Sequence, residues 1–123
     1  MKPKRIIVRN DPEKQLQNNI CTFLRNRGWV CKPTHGGMFQ AGFPDLWVSH
    51  TNYGGKWLEV KLPGMVGSVF TKAQIEWFPI LTNNGTPIWI VTEASQSMLN
   101  MITTMKKGNF NEYFSIYLAK VRT

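Results

Sequence analysis

The sequence has few acidic residues and no long apolar runs, and these two features limit the partners and the class of protein that we expect. Seven Asp and Glu stand against 15 Lys and Arg, which gives a net charge of +8. This balance favours a polyanionic partner, most simply nucleic acid. No apolar run approaches the roughly 20 residues of a membrane span, and residues 6–8 are too short for a signal-peptide core. We therefore expect an intracellular, cytoplasmic protein with no membrane partner.

Cysteine is equally scarce. The two cysteines, Cys21 and Cys31, fall in a predicted helix and a predicted strand. In a reducing compartment we expect them to be buried free thiols and not a disulfide. Together with His35 and His50 they lack the spacing of a four-ligand zinc site.

The remaining composition is that of one globular domain, since 42% of the 123 residues are hydrophobic and only 18% are charged. Residues 1–10 form a basic N-terminal arm, and residues 11–123 form the single domain. The hydrophobic pattern predicts strands that alternate with helices in the order αβββαβαβ, an α/β fold with a mixed central sheet flanked by helices. The last strand is expected at residues 113–118, at the edge of the sheet, and residues 87–92 are expected to be a central strand buried on both faces. Most tryptophans are expected in the core.

Two of the predicted strands, residues 42–48 and 56–61, form a hairpin. If the turn centres near residues 52 and 53, Asp45 falls opposite Glu59 or Val60. Since side chains alternate along a strand, Glu59 and Lys61 share one face while Leu58 and Val60 take the other. Two acids and a lysine therefore converge at one end of a hairpin whose other face is apolar.

The closeness of these two acids and the lysine indicates what the end of the hairpin can bind. Two close carboxylates repel, and one takes up a proton unless a cation neutralises them. Their hard oxygen donors suit Mg²⁺ or Mn²⁺ far better than zinc or copper. The hairpin therefore has the features of a metal-dependent phosphodiesterase site at Asp45, Glu59 and Lys61.

The same residues carry a family resemblance. Pro44-Asp45, followed after 13 residues by Glu59-Val60-Lys61, resembles the PD-(D/E)xK nuclease signature. The flanking Gly42, the Pro63-Gly64 pair and the helix opening Thr71-Lys72-Ala73-Gln74 make residues 11–94 similar to the virus-type replication-repair nuclease (VRR-NUC) branch. That branch begins with a helix that carries a glutamate, and Glu13 stands at the corresponding place.

The resemblance implies a restriction-endonuclease-like core that hydrolyses DNA with Mg²⁺ or Mn²⁺. The metal ligands would be Glu13, Asp45, Glu59 and the carbonyl of Val60, and the catalytic residues would be Asp45, Glu59, Lys61 and Gln74. The implied substrate is branched DNA, such as flaps or four-way junctions met in replication, recombination or repair. The short chain resembles phage-encoded members that act in a bacterial host, which suggests a symmetric homodimer.

Several roles remain open from sequence alone. Glu13 could merely favour the helix N-terminus, although its spacing to Leu16 and Ile20 places it on the inward stripe. Gln74 could merely complete a capping box with Thr71. Lys61 could act as a base or could neutralise charge on the phosphate. For the whole protein, the alternatives are a nucleic-acid-binding module with a vestigial site and a sequence-specific restriction-type endonuclease.

Overall fold

The computed structural model describes residues 11–34 and 42–121, so the predicted arm of residues 1–10 lies outside the described residues, as does His35. The elements in chain order are α1 (Pro12–Arg25), β1 (Val30–Pro33), β2 (Leu46–His50), β3 (Gly54–Val60), a 3₁₀ turn (Pro63–Met65), α2 (Lys72–Asn83), β4 (Ile88–Val91), α3 (Gln96–Thr104) and α4 (Phe110–Val121). None of these helices is long and apolar enough to cross a membrane.

Three helices begin where the sequence places a capping residue. The side chain of Asp11 accepts a hydrogen bond from the Lys14 amide at 3.0 Å, and Pro12 occupies the first turn of α1, where its missing N–H costs nothing. Thr71 and Gln74 form the predicted capping box of α2. Ser95 caps α3. The capping box of α2 was correctly predicted, and each of the three helices starts directly after a side chain that accepts a hydrogen bond from a backbone amide of the first turn.

The four strands form one mixed sheet in the order β1-β2-β3-β4. The first three strands run antiparallel, and β4 runs parallel to β3. The predicted hairpin between β2 and β3 is present, with Leu46 paired to Leu58. The α/β class, the mixed sheet and the flanking helices are confirmed.

Alternating side chains divide the sheet into two faces, each with its own core. On one face, Leu58, Val60 and their neighbours pack beneath α1 and α3. On the other face, Ile88 and Ile90 pack against Phe78 of α2 and Phe110 of α4. The strand β4 is therefore buried on both faces as predicted, although it lies at the edge of the four-stranded sheet and not at its centre.

The predicted last strand is wrong, because residues 110–121 form helix α4. The apolar residues Phe110, Tyr113, Phe114 and Tyr117 are three and four residues apart, which places them on one helix face, and they pack around Phe70. The element order in the described residues is αβββαβαα, and not αβββαβαβ.

The expectation of free thiols is also wrong, since Cys21 and Cys31 form a disulfide with a Cα–Cα distance of 5.4 Å. The turn after α1 reverses the chain and lays β1 against the helix, with the Trp29 amide donating to the Leu24 carbonyl at 3.1 Å. Both sulfur-bearing residues are thereby buried side by side, at a separation that a disulfide can span.

The tryptophans are only partly in the core. Trp29 and Trp89 are buried, whereas Trp47 and Trp77 are 37% and 46% exposed. Trp47 and Trp57 lie on the same sheet face as α2 and α4, with ring centroids 4.8 Å apart. Those helices cover β4, so this part of β2 and β3 stays open.

Candidate metal centre

The hairpin register brings Asp45 beside Glu59. Leu46 pairs with Leu58, so the residue before β2 lies across from Glu59. The Asp45 amide donates to Glu59 Oε1 at 3.1 Å, and the Val60 amide donates to Asp45 Oδ2 at 2.9 Å. Each carboxylate is thus bonded to the backbone of the opposite strand, which fixes the two at the end of the hairpin.

The third acid of the group comes from the first turn of α1. One carboxylate oxygen each of Glu13, Asp45 and Glu59 lies within 4.8 Å of the others. Glu13 and Asp45 are half-buried, and Glu59 is fully buried. Three clustered carboxylates, all with oxygen donors, fit a hard divalent cation such as Mg²⁺ or Mn²⁺.

The ionisation of Glu59 depends on its burial and on the charges beside it. Burial raises the pKa of Glu59 well above its usual value, and the negative charge of Asp45 raises this pKa further. The positive charge of Lys61 acts in the opposite direction but is the smaller influence. The metal-free cluster therefore opposes full ionisation of Glu59, and a bound divalent cation would relieve this opposition.

Lys61 is almost completely buried, at 2% exposure, beside Glu59. Its Nζ lies 3.3 Å from Glu59 Oε2 and donates to Gln74 Oε1 at 2.9 Å and to the Val69 carbonyl at 3.1 Å. Three acceptors surround three N–H donors. The ammonium is thus held in one position at the side of the carboxylate cluster.

The two proposed roles of Gln74 turn out to be compatible. Its Oε1 accepts from the Thr71 amide at 3.0 Å, which closes the capping box. Its Nε2 donates to Glu59 Oε2 at 2.9 Å. The start of α2 and the orientation of the Glu59 carboxylate therefore depend on the same side chain.

Val60 lies between Glu59 and Lys61 at the end of β3, with its amide bonded to Asp45. The ligand role of its carbonyl is implied by the resemblance alone.

In front of Glu13, a cavity of about 330 Å³ opens between α1 and the connection that follows β3, and Gln17 lines it with Lys14 and Gly67.

One residue of the site has no signal in the sequence. Ser68 is buried, and its hydroxyl donates a hydrogen bond to Glu13 Oε2. It lies in residues 62–70, whose single proline and two glycines are typical of an irregular connection. Periodicity carries no information in such a segment, so the inward orientation of Ser68 could not be predicted.

Comparison of the chain with models of known families, with curated proteins and with solved structures finds no match in any of the three. The functional argument therefore rests on the geometry of the carboxylate cluster and on the sequence pattern that forms it.

Proposed function

We propose that this protein is a Mg²⁺- or Mn²⁺-dependent DNA endonuclease with a PD-(D/E)xK core of the VRR-NUC type. The observation that carries the proposal is the cluster of Glu13, Asp45 and Glu59, with oxygens within 4.8 Å of one another and a buried lysine 3.3 Å from Glu59. The net charge of +8 supports a polyanionic substrate.

Each residue has a part in this proposal. Asp45, Glu59 and the Val60 carbonyl hold the metal, and Glu13 completes its ligands. When bound, the metal supplies Lewis-acid polarisation of the scissile phosphate and a lowered pKa for the attacking water. Gln74 orients Glu59 through the bond from its Nε2.

Lys61 is proposed to stabilise charge and not to act as the base. Its three N–H groups are matched by three acceptors, one of them a carboxylate. An ammonium in this position has each of its three N–H groups engaged with an acceptor, and it carries no lone pair with which to take a proton. A fixed positive charge beside the cluster stabilises the negative charge that develops on the phosphate.

Branched DNA in replication, recombination or repair is the proposed substrate class, and phage-encoded action in the cytoplasm of a bacterial host is the corresponding setting. A homodimer is proposed to act on such DNA. It is supported by an exposed aromatic surface that consists of Phe43, Trp47 and Trp77, together with the exposed Ile80 of α2 and the half-buried Trp57, which packs against Phe43 and Trp47.

The test is cleavage of labelled single-stranded, duplex, flap and four-way junction DNA with Mg²⁺, with Mn²⁺ and with EDTA. We expect metal-dependent cleavage of branched DNA that is lost in Asp45→Ala. The matched control is Glu76→Ala, which removes an exposed acid of α2 and should cleave normally. Binding without cleavage would instead indicate a vestigial site, and cleavage at one sequence only would indicate a restriction-type enzyme.

A further inference from the structure

We propose that Ser68 is a positioning residue that holds the carboxylate of Glu13 on the metal cluster. The inference rests on the proposed function, because it assigns a role to Ser68 only through a metal ligand. It adds a fourth chain segment, residues 62–70, to a site that the sequence pattern limits to α1, the hairpin and the start of α2.

The orientation of Ser68 is opposite to that of its exposed neighbours. Val66 and Val69 are 76% and 58% exposed, although both are apolar, whereas the polar Ser68 is 4% exposed. Its hydroxyl donates to Glu13 Oε2. The connection thus presents the apolar side chains of Val66 and Val69 to solvent and its one hydroxyl to the carboxylate cluster.

The backbone around Ser68 is fixed on both sides. The Ser68 amide donates to the Met65 carbonyl at 3.2 Å, and the next carbonyl, that of Val69, accepts from Lys61 Nζ at 3.1 Å. Phe70, one residue further, is buried among the aromatic rings of α2 and α4. The backbone that carries the Ser68 hydroxyl is therefore held in place, so the hydroxyl can fix the position of the Glu13 side chain.

Glu13 needs such an anchor. It belongs to a helix, whereas Asp45 and Glu59 belong to the hairpin, and like charges drive the three carboxylates apart when no metal is bound. A glutamate side chain has several rotatable bonds and can move away from the cluster. Hydrogen bonds to metal-ligating carboxylates hold them in the binding geometry, and losing one costs about 10–100-fold in affinity or activity.

A purely structural role makes a different prediction. If the Ser68 hydroxyl only anchors the connection to α1, its removal should lower the melting temperature and leave metal affinity unchanged. The measurement must therefore report on metal binding directly. Mn²⁺ affinity measured by electron paramagnetic resonance does so without requiring cleavage.

The experiment compares Ser68→Ala, Ser68→Thr and a matched control, Ser95→Ala. Ser95 also donates its hydroxyl to a carboxylate, that of Glu93, and caps α3 away from the cluster. We expect Ser68→Ala to weaken Mn²⁺ binding by about tenfold or more and Ser68→Thr, which keeps the hydroxyl, to retain most of the affinity. Ser95→Ala should lose stability and bind Mn²⁺ as the wild type does.

Combining Ser68→Ala with Glu13→Gln shows whether Ser68 affects Mn²⁺ affinity through Glu13. If Ser68 acts through Glu13, Ser68→Ala should have no further effect on Mn²⁺ affinity in the Glu13→Gln background, because the carboxylate that Ser68 positions is already absent there. Wild-type Mn²⁺ affinity in Ser68→Ala would overturn the role of Ser68 while leaving the nuclease proposal intact. If the wild type binds Mn²⁺ but cleaves no DNA, the nuclease proposal is wrong, and the Mn²⁺ affinities of the variants still decide the role of Ser68. If the wild type does not bind Mn²⁺, both proposals are wrong.

Discussion

At the scale of single residues, the buried carboxylate of Glu59 lowers the stability of the folded protein when it is ionised. Glu59 is completely buried beside Asp45, and both burial and the neighbouring charge raise its pKa. Such a group stabilises the folded protein most at low pH. The contribution is lost as the pH rises from the ordinary carboxyl pKa through the raised one, because the folded state resists losing the proton.

This cost predicts the behaviour of Asp45→Asn in EDTA. The change removes the charge of Asp45, lowers the pKa of Glu59 and keeps an oxygen that can accept from the Val60 amide. The melting temperature of the variant relative to the wild type should therefore increase as the pH rises above the ordinary carboxyl pKa. Thermal unfolding at several pH values measures this slope.

Magnesium supplies the control for the same prediction. It should raise the melting temperature of the wild type, where a cation relieves the repulsion, and should have little effect on Asp45→Asn. A difference between the two proteins that stays constant with pH would show that Asp45 does not control the ionisation of Glu59.

Glu13 gives a second prediction at this scale. Glu13→Gln keeps an oxygen that can accept from Ser68 and removes the charge. As a helix N-terminal charge alone, Glu13 would contribute about 0.3–1 kcal/mol of stability, and cleavage per folded molecule would not change. As a metal ligand, its loss should slow cleavage by about tenfold or more, with partial recovery at high Mn²⁺. Normal turnover in a stable Glu13→Gln protein would leave Asp45, Glu59 and Lys61 as the site.

At the scale of elements, what the sequence predicted depended on local signals. Capping residues fix the starts of α1, α2 and α3, and the hairpin places Asp45 beside Glu59 because its register follows from a short turn. In α4 the helical spacing of aromatic residues was present, but the weak alternation of residues 113–118 suggested a strand. The choice between helix and strand depended on tertiary packing around Phe70, which the sequence does not display.

Asn109 binds backbone groups at the outer edge of β4, where the sheet has no further strand in the described residues. Its Nδ2 donates to the Ile90 carbonyl at 3.0 Å, its Oδ1 accepts from the Ile90 amide at 2.5 Å, and its amide donates to the Ile88 carbonyl at 3.1 Å. These are backbone groups of β4 that a neighbouring strand would bind. One side chain therefore occupies part of this edge, and α4 begins directly after it.

Asn109→Ala is predicted to destabilise the fold strongly. The change leaves the buried amide and carbonyl of Ile90 without these partners, at a cost of about 1–3 kcal/mol for each group. Urea unfolding measures this loss of free energy. Asn100→Ala, on the solvent side of α3, is the matched control and should change stability by about 0.5 kcal/mol or less. Equal stabilities of the two variants would contradict the role assigned to Asn109.

At the scale of the whole molecule, the site lies where α1, the hairpin and the start of α2 meet. The sequence could predict this meeting in part, since Glu13 lies on the inward stripe of α1 and Gln74 lies one turn into α2. It could not predict the exposed aromatic surface. Periodicity indicates that a strand face is apolar but does not indicate which strands a helix covers, and here Trp47 on β2 stays exposed whereas β4 is covered.

The exposed aromatic surface gives a prediction about assembly. We expect the protein to sediment at about twice the chain mass of 14.2 kDa. Ile80→Glu places a charge on this surface and should shift the protein toward the monomer. Ile116→Glu is the matched control, because Ile116 is also an exposed isoleucine on a helix, 55% exposed against 44% for Ile80. A monomeric wild type, or equal effects of the two variants, would contradict a dimer through this surface.

Whether Glu13, Asp45 and Glu59 together hold a divalent metal can be measured by anomalous scattering from crystals grown with Mn²⁺. We expect an anomalous difference peak among these three carboxylates in the wild type and no such peak in Asp45→Asn. If the wild type shows no peak at the cluster, at a Mn²⁺ concentration that supports DNA cleavage, these carboxylates do not hold the metal.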